Sequence, residues 1–277
     1  MTAEETRIRY EQPAGGVARI VLARPEARNA QDKRLLYDLN DAFDKAAQDD
    51  AVRVVILAAD GPHFSSGHDL RDGSSMSNFT PVSCWGGFSQ PGAEGYFAVE
   101  EEIYVNLCWR WRNMPKPTIA QVHGKVIAGG LMLVWPCDLI VASEEAEFSD
   151  PVVAFGVNGI EYFVHPFEVG ARKAKQMLFT GQPMTAAEAF RLGMVNEVVP
   201  REELESFTLA MAERIAKRPS FGLKMAKQAV NQSLDAMGLW SSIQAAFSIH
   251  QLGHSHNVQV HGMLVDPEGA QMIRHGS

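Results

Sequence analysis

Hydrophobic and polar positions along the chain fall into short runs of two different periods. Val17 to Leu22 alternate apolar with small or polar residues, as a strand does, and the run breaks at Arg24-Pro25. From Asp32, a good N-cap, Leu35, Leu36, Leu39, Phe43 and Ala46 recur at intervals of three and four and predict an amphipathic helix. The β-branched run Val52 to Leu57, closed by Asp60-Gly61-Pro62, predicts a second strand. The order strand, helix, strand then returns. A helical stretch around Tyr104, Leu107, Cys108 and Trp111 stops at Met114-Pro115-Lys116-Pro117, and the strand Thr118 to Val122 follows. Gly129 and Gly130 open an apolar segment, and Leu139 to Val141 reads as another strand. Beyond Ala171 the only strand signal is Val195 to Val199, while helical patterns occupy Arg201 to Lys217, Phe221 to Asn231 and about Ala236 to Gly253. The pattern predicts an α/β core over residues 1–200 and a C-terminal helical region over 201–277. Gly73 to Gly95 has no firm period and reads as a long loop of the kind that covers sites.

Composition narrows the class. With 277 residues, 46% apolar and 21% charged, the chain can bury a sizeable core, which excludes disordered, collagenous and coiled-coil proteins. A net charge of -8 argues against nucleic acid as a partner. Cys84, Cys108 and Cys137 are too few and too widely spaced for a disulfide framework or a zinc ribbon, which points to the cytoplasm. The N-terminus has acids before its arginines and no apolar core, and no apolar run approaches the roughly twenty residues that span a bilayer. Neither secretion nor a membrane partner is expected.

Three stretches carry a family resemblance: Ala23-Arg24-Pro25-Glu26-Ala27-Arg28-Asn29-Ala30, Phe64-Ser65-Ser66-Gly67-His68-Asp69-Leu70, and Val122-His123-Gly124-Lys125-Val126-Ile127-Ala128-Gly129-Gly130. It continues through Cys137 to Ala142, Leu178 to Gly181, Ala187 to Ala189, Gly193 to Asn196 and Ala226-Lys227. In this order the motifs resemble the enoyl-CoA hydratase/isomerase, or crotonase, superfamily. The resemblance implies a spiral of β-β-α turns, an acyl-CoA-binding core over 1–200, and C-terminal helices that form a homotrimer or a dimer of trimers. It also implies an acyl-CoA thioester as substrate, with coenzyme A entering as part of that substrate and no separate cofactor. The thioester oxygen would sit between two backbone N–H groups, those of His68 and Gly129, with Gly130 the alternative if the register moves by one. The chemistry explains the glycines, since two amides can converge on one oxyanion only where the backbone approaches closely. Ser66, Gly67 and Leu70 flank the first donor, and Asp69 braces its loop. By the same resemblance, Arg24 and Arg28 would meet coenzyme A phosphates, the backbone at Asn29 and Ala30 its adenine, and Lys224 or Lys227 a phosphate from the C-terminal helices.

The sequence departs from this family where protons should move. Hydratases of the family use two glutamates; the aligned positions here hold Met132 and Val152, neither of which can transfer a proton. Relatives that use an aspartate further along would place it at Ile160, one residue before Glu161. Glu161 and His165, four apart, would share a helix face and form an oriented acid–base pair. Asp150 either points into the acyl pocket or caps a turn. His68 brings an imidazole where a small side chain is usual. His250, His254, His256 and His261 raise a metal site at i,i+4 spacing, but no carboxylate or cysteine in the sequence completes it, and they read as a solvated helix end with no metal. Trp85, Tyr96 and Phe97 would line the acyl pocket, while Tyr104, Trp109 and Trp111 read as helix packing. The expected function is an acyl-CoA lyase or isomerase of this family with a non-standard acid/base set; the alternative is an acyl-CoA-binding protein that serves as a sensor or carrier.

Overall fold

The computed structural model of the chain describes residues 7–275. Strands β1 (Ile8–Ala14) and β2 (Val17–Leu22) form an antiparallel hairpin, helix α1 (Lys33–Gln48) follows, and β3 (Val54–Ala59) lies parallel to β2. Helices α2 (Ala93–Glu100) and α3 (Leu107–Arg112) flank a π-helical segment, Glu101–Asn106. Next come β4 (Thr118–Val122), β5 (Lys125–Ile127), α4 (Gly129–Val134), β6 (Leu139–Ser143) and β7 (Glu147–Ser149). The chain continues through α5 (His165–Thr180), β8 (Met184–Thr185), α6 (Ala186–Leu192) and β9 (Glu197–Val199). It ends in α7 (Leu204–Ala216), α8 (Ser220–Ala236), α9 (Leu239–His261) and α10 (Gly269–His275). Six strands in the order β1-β2-β3-β4-β6-β9 make one sheet, parallel after the first hairpin, and β5-β7-β8 make a second. No described helix is long and apolar enough to cross a membrane.

Both faces of the large sheet are covered, which is why its central strands are nearly continuous apolar runs. Ala18, Ile20, Leu22, Val55 and Leu57 face the main core under α1, whereas Val17, Val21, Val54, Ile56 and Ala58 face a second cluster with Leu204, Ala212 and Ala216 of α7. The first helix of the C-terminal region thus closes one side of the sheet. Arg19, on that side, bridges to Glu205 at the start of α7. Asp32 caps α1 as expected, its carboxylate accepting the Leu35 N–H at 2.8 Å.

Where prediction and structure differ, the reason is local. Strand β1 was not legible because it is an edge whose residues, Ile8 apart, are exposed or half-buried, so it carries no alternation. Strands β5, β7 and β8 are two or three residues long, too short for a period. Leu239 and Phe247 of α9 are buried within their own chain, Phe247 against Phe97, and so are not available for subunit contacts. Exposed apolar side chains are found at Met237 between the two helices and at Phe221, Met225, Val230, Ile249, Leu252 and Val260 on α8 and α9.

The turn after β4 contains a buried titratable group. His123 donates from Nε2 to the Gly61 carbonyl at 2.9 Å, and burial, aided by Arg201, lowers its pKa to about 4. Because the unfolded chain takes up this proton near 6.5, stability should fall as pH drops from 6.5 toward 4. Urea unfolding at pH 7 and pH 5 should show a loss for the wild type that exceeds the loss for His123→Gln by on the order of 2 kcal/mol. Equal losses would show that His123 does not titrate in folding.

Candidate active site

Backbone hydrogen bonds bring the three sequence motifs together. The Gln31 N–H donates to the Gly67 carbonyl at 2.8 Å and the Asp69 N–H to the Gln31 carbonyl at 2.9 Å, joining the first motif to the second. The Ser65 N–H donates to Lys125 and the Ile127 N–H donates back to Ser65, at 3.2 and 3.0 Å, joining the second to the third. Asn29 secures this junction from inside: fully buried and left-handed at φ 53° for Arg28 and 51° for itself, the turn is held as Asn29 Nδ2 donates to the carbonyls of Asp60 and His63. The Asn29 side chain is therefore a staple, which leaves the expectation for its backbone unaltered.

In the bridge between Gln31 and His68, the neighbours Gly67 and Asp69 make the bonds, which turns the His68 N–H toward the opposite side. Among the described residues that N–H has no acceptor. Gly129 opens α4, so its N–H has no carbonyl one turn behind it. Ala128, held at φ 48° as N-cap, sets the direction of the Gly129 amide, and such a backbone costs roughly 1 to 3 kcal/mol in a non-glycine residue. A Cβ on Gly67 would stand 3.2 Å from the Gly129 nitrogen, and a Cβ on Gly129 would stand 2.6 Å from the His68 ring. Both positions therefore need glycine for contact between the loops. A Cβ at Gly130 would strike the Ser65 carbonyl at 2.8 Å, so that glycine serves packing.

The His68 imidazole lies over this junction. It stacks on Tyr104 with ring centroids 3.9 Å apart, and its Nε2 is 3.1 Å from Glu161 Oε2. Its Nδ1 is buried, with no protein partner among the described residues. Burial would raise the Glu161 carboxyl, but the imidazoles of His68 and His250 outweigh it and hold the acid well below the usual carboxylate range. For His68 burial acts downward and Glu161 upward, and the net direction is up. Buried carboxylate and imidazole stabilise each other's charged forms.

Glu161 does not pair with His165. Residues 156–164 are irregular and α5 begins at His165, so the two side chains share no helix face. His165 Nε2 instead donates to Asp150 Oδ2 at 2.8 Å; the same carboxylate accepts the N–H of Ile160 at 3.0 Å and of Val152 at 3.3 Å. Fully buried and engaged on both oxygens, Asp150 clamps the segment that carries Glu161 rather than facing an acyl group. Met132 is buried in α4 within the main core, and Val152 is buried at the start of the turn after Pro151.

The charged groups expected on coenzyme A are placed differently from one another. Arg24 is spent internally, 2.8 Å from Asp69, 3.0 Å from the Ala30 carbonyl and 3.4 Å from Asp32, a carboxylate it shares with Arg7. Asp69 thereby braces its loop. Arg28 is exposed and lines a shallow cavity with Ala30, Ser66 and Arg71. Leu70 is exposed beside it. Lys227 points inward, 2.8 Å from Asp138 and 3.1 Å from the Lys116 carbonyl, and locks α8 to the end of the sheet; Lys224 is exposed. Over the site, the loop before α2 is pinned by the buried Glu102, which accepts Tyr37 Oη at 3.0 Å and the N–H groups of Val82 and Ser83 at 2.6 and 3.2 Å.

Sequence reasoning did not single out Glu100, and it set Tyr104, His250 and His254 aside as packing or surface residues. Tyr104 stands in the π-helical segment, where the widened turn presents it to His68. His250 and His254 are not a solvated helix end: both are buried, and Glu100 of α2 supplies the carboxylate that the sequence alone could not place beside them. His256 and His261 are exposed as expected.

The enoyl-CoA hydratase/isomerase family model matches residues 12–268. EchA13 of Mycobacterium tuberculosis is 47% identical over 263 residues, covering 92% of this chain and 83% of that protein. A crystal structure from Mycobacterium smegmatis superposes with a TM-score of 0.86 at 48% identity, covering 94% of this chain and 98% of the other. That of an enoyl-CoA hydratase/isomerase from Xanthobacter autotrophicus Py2 gives 0.81 at 30% identity, with 97% and 93% covered. Together with the fold and the junction of the three motifs, these matches establish that the chain belongs to the enoyl-CoA hydratase/isomerase family.

Proposed function

We propose that the protein moves a proton at carbon in an acyl-CoA thioester, using the His68 imidazole as acid and base and Glu161 as the carboxylate that orients it. The observation that carries this reading is the buried, unpartnered Nδ1 of a part-buried imidazole whose Nε2 faces Glu161 and whose ring packs against Gly129. In this mechanism the thioester oxygen lies between the N–H groups of His68 and Gly129. His68 Nδ1 takes a proton from the carbon next to the carbonyl, the C–H electron pair moves into the enolate, and the two amides stabilise the oxygen's new charge. Glu161 stabilises the imidazolium, as a carboxylate does for a catalytic histidine elsewhere. Once the imidazole has swapped its hydrogen with water, reprotonation of the same carbon gives exchange; protonation two carbons further along an unsaturated chain gives isomerisation. Hydration by two glutamates has no counterpart at Met132 and Val152. The exposed apolar side chains of α8 and α9 support a trimer or a dimer of trimers.

Incubation of an acyl-CoA panel in heavy water should give deuterium beside the thioester carbonyl, read by mass spectrometry, while crotonyl-CoA is hydrated only near the oxyanion-hole background. Glu161→Gln should slow exchange about 10² to 10⁴-fold with little change in thioester affinity. Full exchange in that variant would remove Glu161 from the chemistry, and tight binding without any exchange would make the protein a carrier or sensor.

Gly129→Ala is a second test of the same geometry. Its Cβ would displace the imidazole, so exchange should fall at least about 10²-fold in a chain whose circular dichroism is unchanged. Wild-type exchange would place the reacting oxygen elsewhere.

A further inference from the structure

Beyond the acyl-CoA site, His250 and His254 pose a question of their own. One turn apart on α9, they project from the same face. His250 Nδ1 is 2.7 Å from the Gly159 carbonyl and His254 Nδ1 is 2.7 Å from the Leu264 carbonyl. A carbonyl only accepts, so each Nδ1 carries a hydrogen, each Nε2 has a lone pair to share, and the positive charge that Glu161 meets at His250 must come from a cation held at these nitrogens. These two lone pairs face each other at 2.9 Å, inside the protein. Lone pairs repel unless a cation stands between or beside them. Glu100 completes the convergence, with Oε1 3.3 Å from His254 Nε2 and Oε2 3.9 Å from His250 Nε2, and Gln251 donates to Glu100 Oε2 at 2.5 Å to hold it there.

We propose that His250, His254 and Glu100 form a site for a divalent first-row transition metal, of which zinc is the best fit. Two imidazole nitrogens and one carboxylate are a recognised zinc donor set that leaves a position open. Each imidazole already has the outer hydrogen bond that metal-bound histidines characteristically make from their other nitrogen. Tetrahedral zinc would set the two Nε2 atoms about 3.3 Å apart, and a small ring rotation supplies the difference from 2.9 Å. A cavity lined by Glu100, Tyr104, Phe79, Lys33 and Leu264 opens onto the carboxylate of this set. The alternative occupant of the gap is a single shared proton. The metal binds α9 to α2, and through the Gly159 carbonyl it steadies the segment leading to Glu161, whose Oε1 is 3.4 Å from His250 Nε2. None of this depends on the acyl-CoA chemistry.

The test uses the untagged full chain, stripped with a chelator and titrated with Zn²⁺ or Co²⁺ alone. One equivalent should bind in the micromolar range or tighter, Co²⁺ should show the intense visible bands of low coordination, and the melting temperature should rise with metal. Glu100→Gln and His254→Ala should each weaken binding at least 10-fold, and the exposed His256→Ala should not. If His254→Ala fails to fold, the wild-type Co²⁺ spectrum and Glu100→Gln decide. Binding that is absent or substoichiometric, or that survives both ligand variants, would overturn the site and leave the shared proton. Deuterium exchange into acyl-CoA is read separately, so loss of the metal site and loss of the proposed chemistry are distinguishable.

Discussion

A carboxylate buried among imidazoles organises this molecule's interior. Glu161 is almost wholly withdrawn from water, a placement that would protonate an isolated acid. Two rings, His68 and His250, approach from different elements and keep it charged. Each comes from a segment with other obligations: His68 from the loop that contacts Gly129, His250 from α9, which leads on to His254 and Glu100. A single desolvated charge thus links the motif junction, α2 and α9, and removing a partner would leave it uncompensated.

Placing Glu161 there needs support that has nothing to do with chemistry. The segment from Pro151 to Val164 makes little regular structure, so its shape depends on specific bonds. Asp150 provides them by holding two backbone N–H groups and His165 at once, while Asn257 of α9 donates to the Phe155 carbonyl at 2.8 Å. Asp150 and Glu161 are both buried acids close in sequence, yet one is saturated by local donors and the other by distant imidazoles. That difference in partners separates a clamp from a carboxylate free to orient the His68 imidazole.

The motif loops solve a different problem, that of bringing three backbones within van der Waals contact. Glycine at positions 67, 129 and 130 removes the Cβ atoms that would collide with a carbonyl, an imidazole or a neighbouring nitrogen. Ala128 accepts a strained φ to aim the next amide. Arg24, Asn29 and Asp69 brace the same junction, which explains why a motif that resembles a nucleotide grip contains so many residues turned inward. Arg28 alone of its charged pair faces outward.

Much of the fold was legible because its causes are local. The double-faced runs of β2, β3 and β4, the Asp32 cap and the periodicity of α7 depend on neighbours in sequence, and each could be read there. The family could be read as well, since the glycine loops are short contiguous strings. The inward turns of Arg24 and Lys227, the separation of Glu161 from His165, and the convergence of Glu100 on His250 and His254 could not. Each depends on groups far apart in sequence, up to 154 positions between Glu100 and His254, that only packing brings within hydrogen-bonding distance. Periodicity decides which face of an element is buried. Which charge meets which, once water is excluded, is decided by the tertiary structure, because a buried ionisable group must find its partner wherever the fold supplies one.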